Sequence, residues 1–434
     1  MPAPSDKNVF IGIDIGTSGC RVCAIDGQNN PVAELNCNLP APERNGTAVQ
    51  QNAMLWWEAV KNLLTKLAPQ LTGYRPRSIA VDGTSGTLLL CDDNGIPLAP
   101  ALMYNDARYT EQTAKIAAVA PRDSVARGAG SGLARLLYLY EALRDAHHAL
   151  HQADWVAGQL CGRFDVSDEN DSLKTGYDPV ARQWPDWMRK LDFDPGLLPQ
   201  VVEPGTPIGT IRKELAQQFN LPADVQIIAG TTDSIAAFLA TGANRIGDAV
   251  TSLGSTLVLK VLSDKAIAAP EFGIYSHRLG DRWLVGGASN SGGAVLKQFF
   301  SQQQLNQMTS RLQPDRPTGL DYYPLPGVGE RFPINDPQLH PRLAPRPADD
   351  VLFFQAILEG IAAIEHQGYR KLHELGAPYP KRLFTAGGGS RNPAWNQVRS
   401  RLLGLTLLPA LRTEACYGAA LLAKQGTETT GEQP

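Results

Sequence analysis

The apolar positions of the chain fall in short runs separated by Gly, Ser, Thr, Asn and Asp. The first run, 9–13, ends at Asp14 and predicts a buried strand. Gly16-Thr17-Ser18-Gly19 turns the chain, 21–25 predicts a returning strand, and the weak alternation over 31–39 a third. From 53 the period becomes helical: Leu55, Trp56, Ala59, Val60, Leu63, Leu64 and Leu67 share a face, with Asn52 as the expected N-cap. The strand pattern returns at 78–81, running into Asp82-Gly83-Thr84-Ser85-Gly86, and again at 87–91. A loop is expected over 103–108, a helix over 133–140, and polar loops above a cleft over 162–187. Residues 225–229 predict a strand that enters Gly230-Thr231-Thr232-Asp233 and then a helix. Asp233 thus stands at a helix N-terminus, where a carboxylate is favoured. Residues 249–262 repeat the opening theme around a turn at Gly254-Ser255-Thr256, although the identity between the halves is too low to establish an internal repeat. A Gly-rich turn is expected over 284–294, and nine prolines between 314 and 347 predict an irregular segment. A long helix follows over 353–375, then a strand over 383–386 feeding Gly387-Gly388-Gly389, and helices over 392–403 and 416–424.

A chain of 434 residues exceeds what one core supports, so two domains are expected. With 43% hydrophobic and 19% charged residues, the composition is that of a globular protein. A net charge of -3 and the lack of any Lys/Arg block argue against nucleic acid or an anionic membrane as the main partner. No apolar run approaches the roughly 18 residues of a spanning helix. The opening MPAPSDKN has neither the apolar core of a signal peptide nor an Arg/Ser-rich leader, so a cytoplasmic monomer or homodimer is the expectation. Six scattered cysteines read as free, mostly buried thiols, since the lone Cys20/Cys23 pair has no second pair for zinc. The seven histidines, set mainly on predicted helices, suggest no triad and no metal cluster.

Strand, acid, Gly-rich hairpin and strand form a candidate phosphate site. Small residues let backbone approach a phosphate, and successive N–H groups make an anion-binding concavity. A carboxylate beside it, Asp14, suits Mg²⁺, which prefers oxygen ligands and keeps several waters. An ordinary hairpin with a solvated Asp is the competing reading. The chain has no Gly-Lys pair and hence no Walker A motif, and no GxGxxG follows the first strand. Asp14, Asp82 and Asp233 each end a predicted strand, and strand ends collect at the ligand crevice of α/β folds. Turn chemistry or a helix cap is the alternative, the better one for Asp82 and a close competitor for Asp233. Gly387-Gly388-Gly389 could admit a flat adenine or be a flexible turn. Trp395 could flank a base or fill core. Asn105, Asp106 and Arg108 offer polar groups to a polyhydroxylated ligand or form a solvated loop.

Taken as a set, DIGTSGCR (14–21), YNDAR (104–108), GTTDSIAA (230–237), SLGST (252–256), GER (329–331) and AGGGSRNPAWNQ (386–397) resemble the FGGY carbohydrate kinases in order and spacing, over nearly the whole chain. GTSGTLLLCD (83–92) and TDSIAAFLA (232–240) are similar to the short ribulose-kinase-like members, which resemble xylulose kinases. The resemblance implies an actin-like, ribonuclease-H-like α/β fold of two domains around a cleft. Residues 1–240, joined by 414–425, would be the sugar domain and 241–413 the nucleotide domain. It implies ATP and Mg²⁺, with Asp233 as general base and Asp14 orienting the metal through water. Thr17, Ser18 and Gly19, with Gly254, Ser255 and Thr256, would hold phosphates; Gly388, Gly389, Asn392 and Trp395 the adenosine; and Asp14, Arg21, Ser85, Asn105, Asp106 and Asp233 the sugar. Thr84-Ser85 departs from the Arg-Glu of glycerol kinases and the Met-His of xylulokinases, and Tyr104 replaces a common Trp. The expected substrate is therefore D-ribulose, phosphorylated at its primary hydroxyl, with D-xylulose or another short-chain ketose or polyol as alternative. An actin-like ATPase without sugar kinase activity is the more distant one.

Overall fold

The computed structural model describes residues 7–128 and 130–431. The chain divides into two compact units, residues 1–240 with 414–434, and residues 241–413. The first unit is built on β1 (Lys7–Ile15), β2 (Gly19–Asp26), β3 (Pro31–Asn38), β4 (Tyr74–Gly83), β5 (Pro207–Thr210) and β6 (Gln226–Thr232), in the sheet order β5-β6-β4-β1-β2-β3. β1, β2 and β3 form an antiparallel meander, while β4 lies parallel to β1 and β6 parallel to β4. The second unit uses β7 (Asp248–Leu253), β8 (Leu257–Ser263), β9 (Tyr275–Leu279), β10 (Arg282–Ser289), β11 (Arg382–Ala386) and β12 (Leu407–Pro409), in the order β9-β10-β8-β7-β11-β12. β7 and β8 are again antiparallel, β8 pairs antiparallel with β10, and β11 and β12 continue in parallel from β7. Both units therefore share one five-strand core: a three-strand meander followed by two parallel strands. The repeat that side-chain identity could not establish is explicit in strand order.

The helices are α1 (Met54–Leu67), α2 (Gly132–Ala142), α3 (Gln152–Cys161) and α4 (Asp233–Ala240) in the first unit, α5 (Gln302–Thr309), α6 (Asp350–Glu374) and α7 (Pro393–Leu403) in the second, and α8 (Ala415–Gly431), which returns to the first. α1 buries Trp57 together with Trp56, Ala59, Val60, Leu63, Leu64 and Leu67, leaving Leu55 half-buried at the edge of the face. The N-cap is Ala53 rather than the expected Asn52, whose Oδ1 accepts from the Met54 N–H at 3.0 Å one residue ahead of it. None of the described helices is long and apolar enough to cross a membrane.

Alternation along the strands explains the layers. Val9, Ile11 and Ile13 of β1 point into one core with α1 and α3, while Phe10 lies in the opposite cluster with Cys416, Ala420 and Ala423 of α8. Gly12 shares that second face, and a Cβ there would lie 2.0 Å from the Cys416 carbonyl oxygen, so glycine is what lets α8 lie against the sheet. Gly418 does the same for α8 against α4, since its Cβ would fall 1.8 Å from the Ala236 carbonyl oxygen. Asp14, next in the alternation after Gly12, emerges on the side covered by α8 and α4.

Several expectations are corrected by packing. The 284–294 stretch is mostly strand β10, not a turn; Gly286 and Gly287 sit in its ladder. Residues 166–172 are not surface loops. They carry Ser167, Asp168, Glu169, Asn170, Asp171 and Ser172, each at most 2% exposed, because they are wedged against β6 and α3. Of the histidines, only His366 and His373 lie in a helix; His148 and His151 are in a short strand and His277 is in β9. All six cysteines are free, as expected.

Candidate active site

The acidic half of the site follows from register. Asp14 on β1 pairs with Arg21 on β2 and with Asp82 on β4, and Asp82 pairs with Thr231 on β6. One row of side chains thus crosses four strands, and Asp233 opens α4 immediately after β6. The Arg21 guanidinium lies 2.9 Å from Asp14 Oδ2. Burial pushes the Asp14 carboxyl above its ordinary range, opposed by hydrogen bonds and charge from Arg21 and by a hydrogen bond with Asp82. Asp82 is pushed well above it, first by complete burial and then by the charges of Asp14 and Asp233. Asp82 is therefore corrected from a turn residue to a buried member of the site. The sign of it in the sequence was its place on the same strand end that Asp14 occupies on β1.

The turn between β1 and β2 is closed by the Gly16 N–H donating to the Gly19 carbonyl at 2.9 Å, and the Leu39 N–H donates to the Ser18 carbonyl at 2.9 Å. Thr17 is half-buried and Ser18 exposed, so their hydroxyls are available at the turn, while Gly19 is buried against the Cys37 carbonyl. Beyond β4, Thr84 is tied by its N–H and hydroxyl to Gln152 Oε1, at 2.9 and 2.7 Å, and by its hydroxyl to Thr87. Thr87 Oγ1 accepts from the Tyr104 N–H, linking this loop to the 103–108 loop. Ser85 Oγ and Asn105 Oδ1 are buried with no partner among the described residues, as befits groups that serve a polar ligand or water.

Asp106 is different. Its carboxylate accepts from the Val49 N–H at 2.7 Å and pairs with Arg108 at 2.6 Å, at 1% exposure. Its carboxylate is engaged within the protein, where it fixes the loop, and not left open like Ser85 Oγ and Asn105 Oδ1. Sequence reasoning also missed Arg135, a fully buried residue of α2 that donates to the carbonyls of Met103, Tyr104, Gly130 and Ser131 and so holds the loop that carries Asn105. One arginine inside an apolar helical stretch carried no motif.

The second unit holds a cavity of about 810 Å³. Gly254, Ser255, Gly388, Gly389, Asn392 and Trp395 all line it, whereas Thr256 does not. Gly254 and Ser255 are exposed at the β7–β8 turn, which is braced by the Gly293 and Ala294 N–H groups donating to the Gly254 and Ser255 carbonyls. Gly387 adopts φ +81°, and a Cβ on Gly389 would lie 2.5 Å from the Trp395 ring. The triglycine thus lets backbone lie flat on that ring. Trp395 is 3% exposed and its Nε1 donates to the Leu358 carbonyl, so it is a core residue whose edge forms the cavity floor. Asn392 caps α7 through the Trp395 N–H and donates to Thr309 Oγ1. Lys297, Gln302 and Asn306 line the same cavity and went unseen in the sequence, where they belong to no motif; Arg391, inside the 386–397 motif but given no role there, lines it too.

Buried polar groups brace these loops from below. Arg399 and Glu365, both fully buried, form two hydrogen bonds of 2.7 Å. Arg399 also holds Asn396, whose Nδ2 donates to the Ser390 carbonyl in the 388–391 turn. Glu330 accepts from Ser289 Oγ at 2.6 Å and from the Asn290 N–H at 2.8 Å, anchoring the loop beside the 254–256 turn.

Two parallel-extended meanders, an acid-lined strand row in one unit and a cavity walled by glycine and a tryptophan edge in the other, define a two-domain α/β phosphotransferase architecture. The N-terminal domain model of the FGGY family of carbohydrate kinases matches residues 9–240 and the C-terminal domain model matches residues 249–425. The chain belongs to that family of carbohydrate kinases, and its fold is the actin-like, ribonuclease-H-like one expected from the sequence. It is 26% identical to the xylulose kinase of Escherichia coli K12 over 440 residues, spanning 95% of this chain and 88% of that one. It is 21% identical to the gluconokinase of Bacillus subtilis over 453 residues, spanning 96% and 87%. The crystal structure of a "xyloylose kinase" from Brucella ovis superposes with a TM-score of 0.88 at 25% identity, covering 98% of this chain and 91% of that one.

Proposed function

We propose that the protein transfers the terminal phosphoryl group of ATP to the primary hydroxyl of a ketopentose, with D-xylulose as the foremost substrate. The observation that carries this is Asp233 at the start of α4, next to the Asp14–Asp82 strand row, in a chain of the carbohydrate kinase family. The xylulose kinases among its relatives support D-xylulose over the D-ribulose anticipated from the sequence. D-ribulose stays as the second reading, on the small residue Ser85 and its partnerless Oγ where the family resemblance sets a histidine in xylulokinases.

Phosphoryl transfer asks a protein for positioning and charge stabilisation. In this reading the first unit holds the sugar and the second the nucleotide. Asp233 accepts the proton of the attacking hydroxyl. Arg21, Ser85 and Asn105 orient the sugar. At the β1–β2 turn of the first unit Thr17, Ser18 and Gly19 offer donors suited to phosphate oxygens, and at the β7–β8 turn of the second Gly254, Ser255 and Thr256 offer the same. Gly388, Gly389, Asn392 and Trp395 hold the adenosine in the cavity they share. Asp14 is the residue that suits Mg²⁺: a single carboxylate, 5% exposed and already tied to Arg21, matches a cation that takes one or two carboxylates and fills its shell with water and phosphate. Bound there, the ion would supply charge neutralisation at the β- and γ-phosphates.

An ATP-coupled assay over D-xylulose, D-ribulose, L-xylulose, L-ribulose, ribitol and glycerol tests the reading. Turnover led by D-xylulose is expected. ATP hydrolysis indifferent to every sugar would overturn it in favour of an actin-like ATPase.

A further inference from the structure

Three carboxylates meet inside the first unit. Asp154 lies in the first turn of α3, and Asp168 and Asp171 belong to the buried 166–172 stretch packed against α3 and β6. Each offers one oxygen, and these oxygens all lie within 4.8 Å of one another. The three residues are 8%, 2% and 1% exposed. Two of them have donors. Asp154 Oδ2 accepts from the His151 N–H at 3.2 Å and lies 2.7 Å from His151 Nδ1. Asp168 Oδ1 accepts from the N–H groups of Asn170 and Asp171 at 2.8 and 3.3 Å. Asp171 differs: both its oxygens are buried with no hydrogen-bond partner among the described residues. A buried carboxylate left unpaired is costly, and two like groups beside it add to the cost. Among the described residues no lysine or arginine pairs with any of the three, and the nearby Arg182 is held by Glu169 and Glu203. A void of about 10 Å³ lies against the cluster, lined by Asp154, Ser167 and Asp168, with room for about one water.

We propose that Asp154, Asp168 and Asp171 bind one calcium ion, with Asp171 as the ligand that no protein donor claims. An anionic, all-oxygen donor set is that of a hard cation rather than of zinc or copper. Three oxygens so spaced lie no farther than about 2.8 Å from a common point, which suits calcium at about 2.3–2.6 Å better than magnesium at about 2.0–2.1 Å. Magnesium also keeps several waters, and the void admits about one. The ion fixes the 166–172 stretch on α3. From that stretch Asn170 Nδ2 donates to Thr231 Oγ1 at 3.1 Å, two residues before Asp233, so the site braces the end of β6 from which α4 starts. Stripped of the ion, the cluster relieves its repulsion by holding protons instead. Calcium binding here does not depend on the proposed kinase activity.

The test uses the full-length protein, stripped with a chelator and titrated with calcium chloride by calorimetry and in thermal melts, with no nucleotide or sugar present. One calcium per chain is expected, with a melting temperature raised by about 5–10 °C at calcium about 100-fold above Kd. Magnesium at the same concentration should give a clearly smaller rise, and an equal one would overturn the choice of ion. Asp171→Asn, which keeps the size but not the charge, should lose calcium affinity by about 10-fold or more and with it most of the rise. Without calcium it should melt no lower than stripped wild type, since the orphan carboxylate is gone. If Asp171→Asn does not fold, Asp168→Asn takes its place with the same expected loss. Asp14→Asn, altered at the phosphate turn instead, should keep the calcium response. Stripped wild type that takes up no calcium at about 5 mM would overturn the proposal. So would a response lost in Asp14→Asn but kept in Asp171→Asn, which would put the ion at the phosphate turn.

Discussion

The Glu365–Arg399 pair offers the sharpest test of how the second unit holds its cavity. Both side chains are 0% exposed, and the guanidinium makes two 2.7 Å bonds to the carboxylate. Glu365 also accepts from Thr251 Oγ1 of β7 at 2.5 Å, and Arg399 donates to Thr385 Oγ1 of β11 at 2.8 Å, so the pair joins two helices to two central strands. Replacing Arg399 by Met keeps most of the volume but leaves a carboxylate buried with no countercharge. Removing one partner of a buried pair costs about 3–5 kcal/mol. At about 2–4 °C per kcal/mol for a unit of this size, the melting temperature should fall by roughly 6–20 °C. The double variant Glu365→Gln/Arg399→Met removes the orphan charge and should regain more than half of that loss, since buried pairs are often near-neutral against uncharged replacements. Urea unfolding of wild type, both singles and the double gives the cycle directly. Because Asn396 is held by Arg399 and in turn holds the Ser390 carbonyl, calorimetry with ADP should show weaker binding in Arg399→Met even well below its melting temperature. A single variant losing under about 1 kcal/mol, or a double variant no more stable than the single, would refute the reasoning.

Asp233→Asn should lower kcat by about 10²- to 10⁴-fold, the usual worth of a general base, while calorimetric ATP affinity is kept; normal turnover would remove Asp233 from the mechanism. Gly389→Ala should destabilise the second unit and weaken ADP binding, because its Cβ would sit 2.5 Å from the Trp395 ring and 2.8 Å from Leu253 Cβ, whereas Gly388→Ala meets nothing within 4 Å and should fold normally. Equal melting temperatures for the two variants would contradict that packing. Asp168 is pushed up to about 7, mainly by burial, and Asp171 well above the ordinary range by burial and by Asp168. The folded state thus binds these protons more tightly than the unfolded chain, so stability should fall as pH rises from the usual carboxylate range through about 7, by up to roughly 1.4 kcal/mol per pH unit and group. Asp168→Asn should flatten that slope in urea titrations; a midpoint that rises with pH would show the sign to be wrong.

Local sequence determined a good part of this protein. The runs ending at Asp14 and Asp82, the turn at 254–256, the triglycine after β11 and the helix opening at Asp233 were legible, because each rests on periodicity or on turn residues a few positions apart. The proline-rich 314–347 segment was legible too, since Pro has no N–H to donate to a helix or a ladder; none of its described residues lies in a named helix or strand. Register and burial belonged to the tertiary structure. Asp14 and Asp82 are 68 positions apart in sequence, and only the parallel pairing of β1 with β4 brings them side by side. Asp106 read as a ligand contact until folding put it beside the Val49 N–H, and Arg135 read as nothing until its helix packed under the loop. The same holds for the 166–172 stretch: polarity told of solvent, and packing against β6 and α3 took it inside. A residue's type states what bonds it can make, but which partners lie within reach is decided by chain segments distant in sequence.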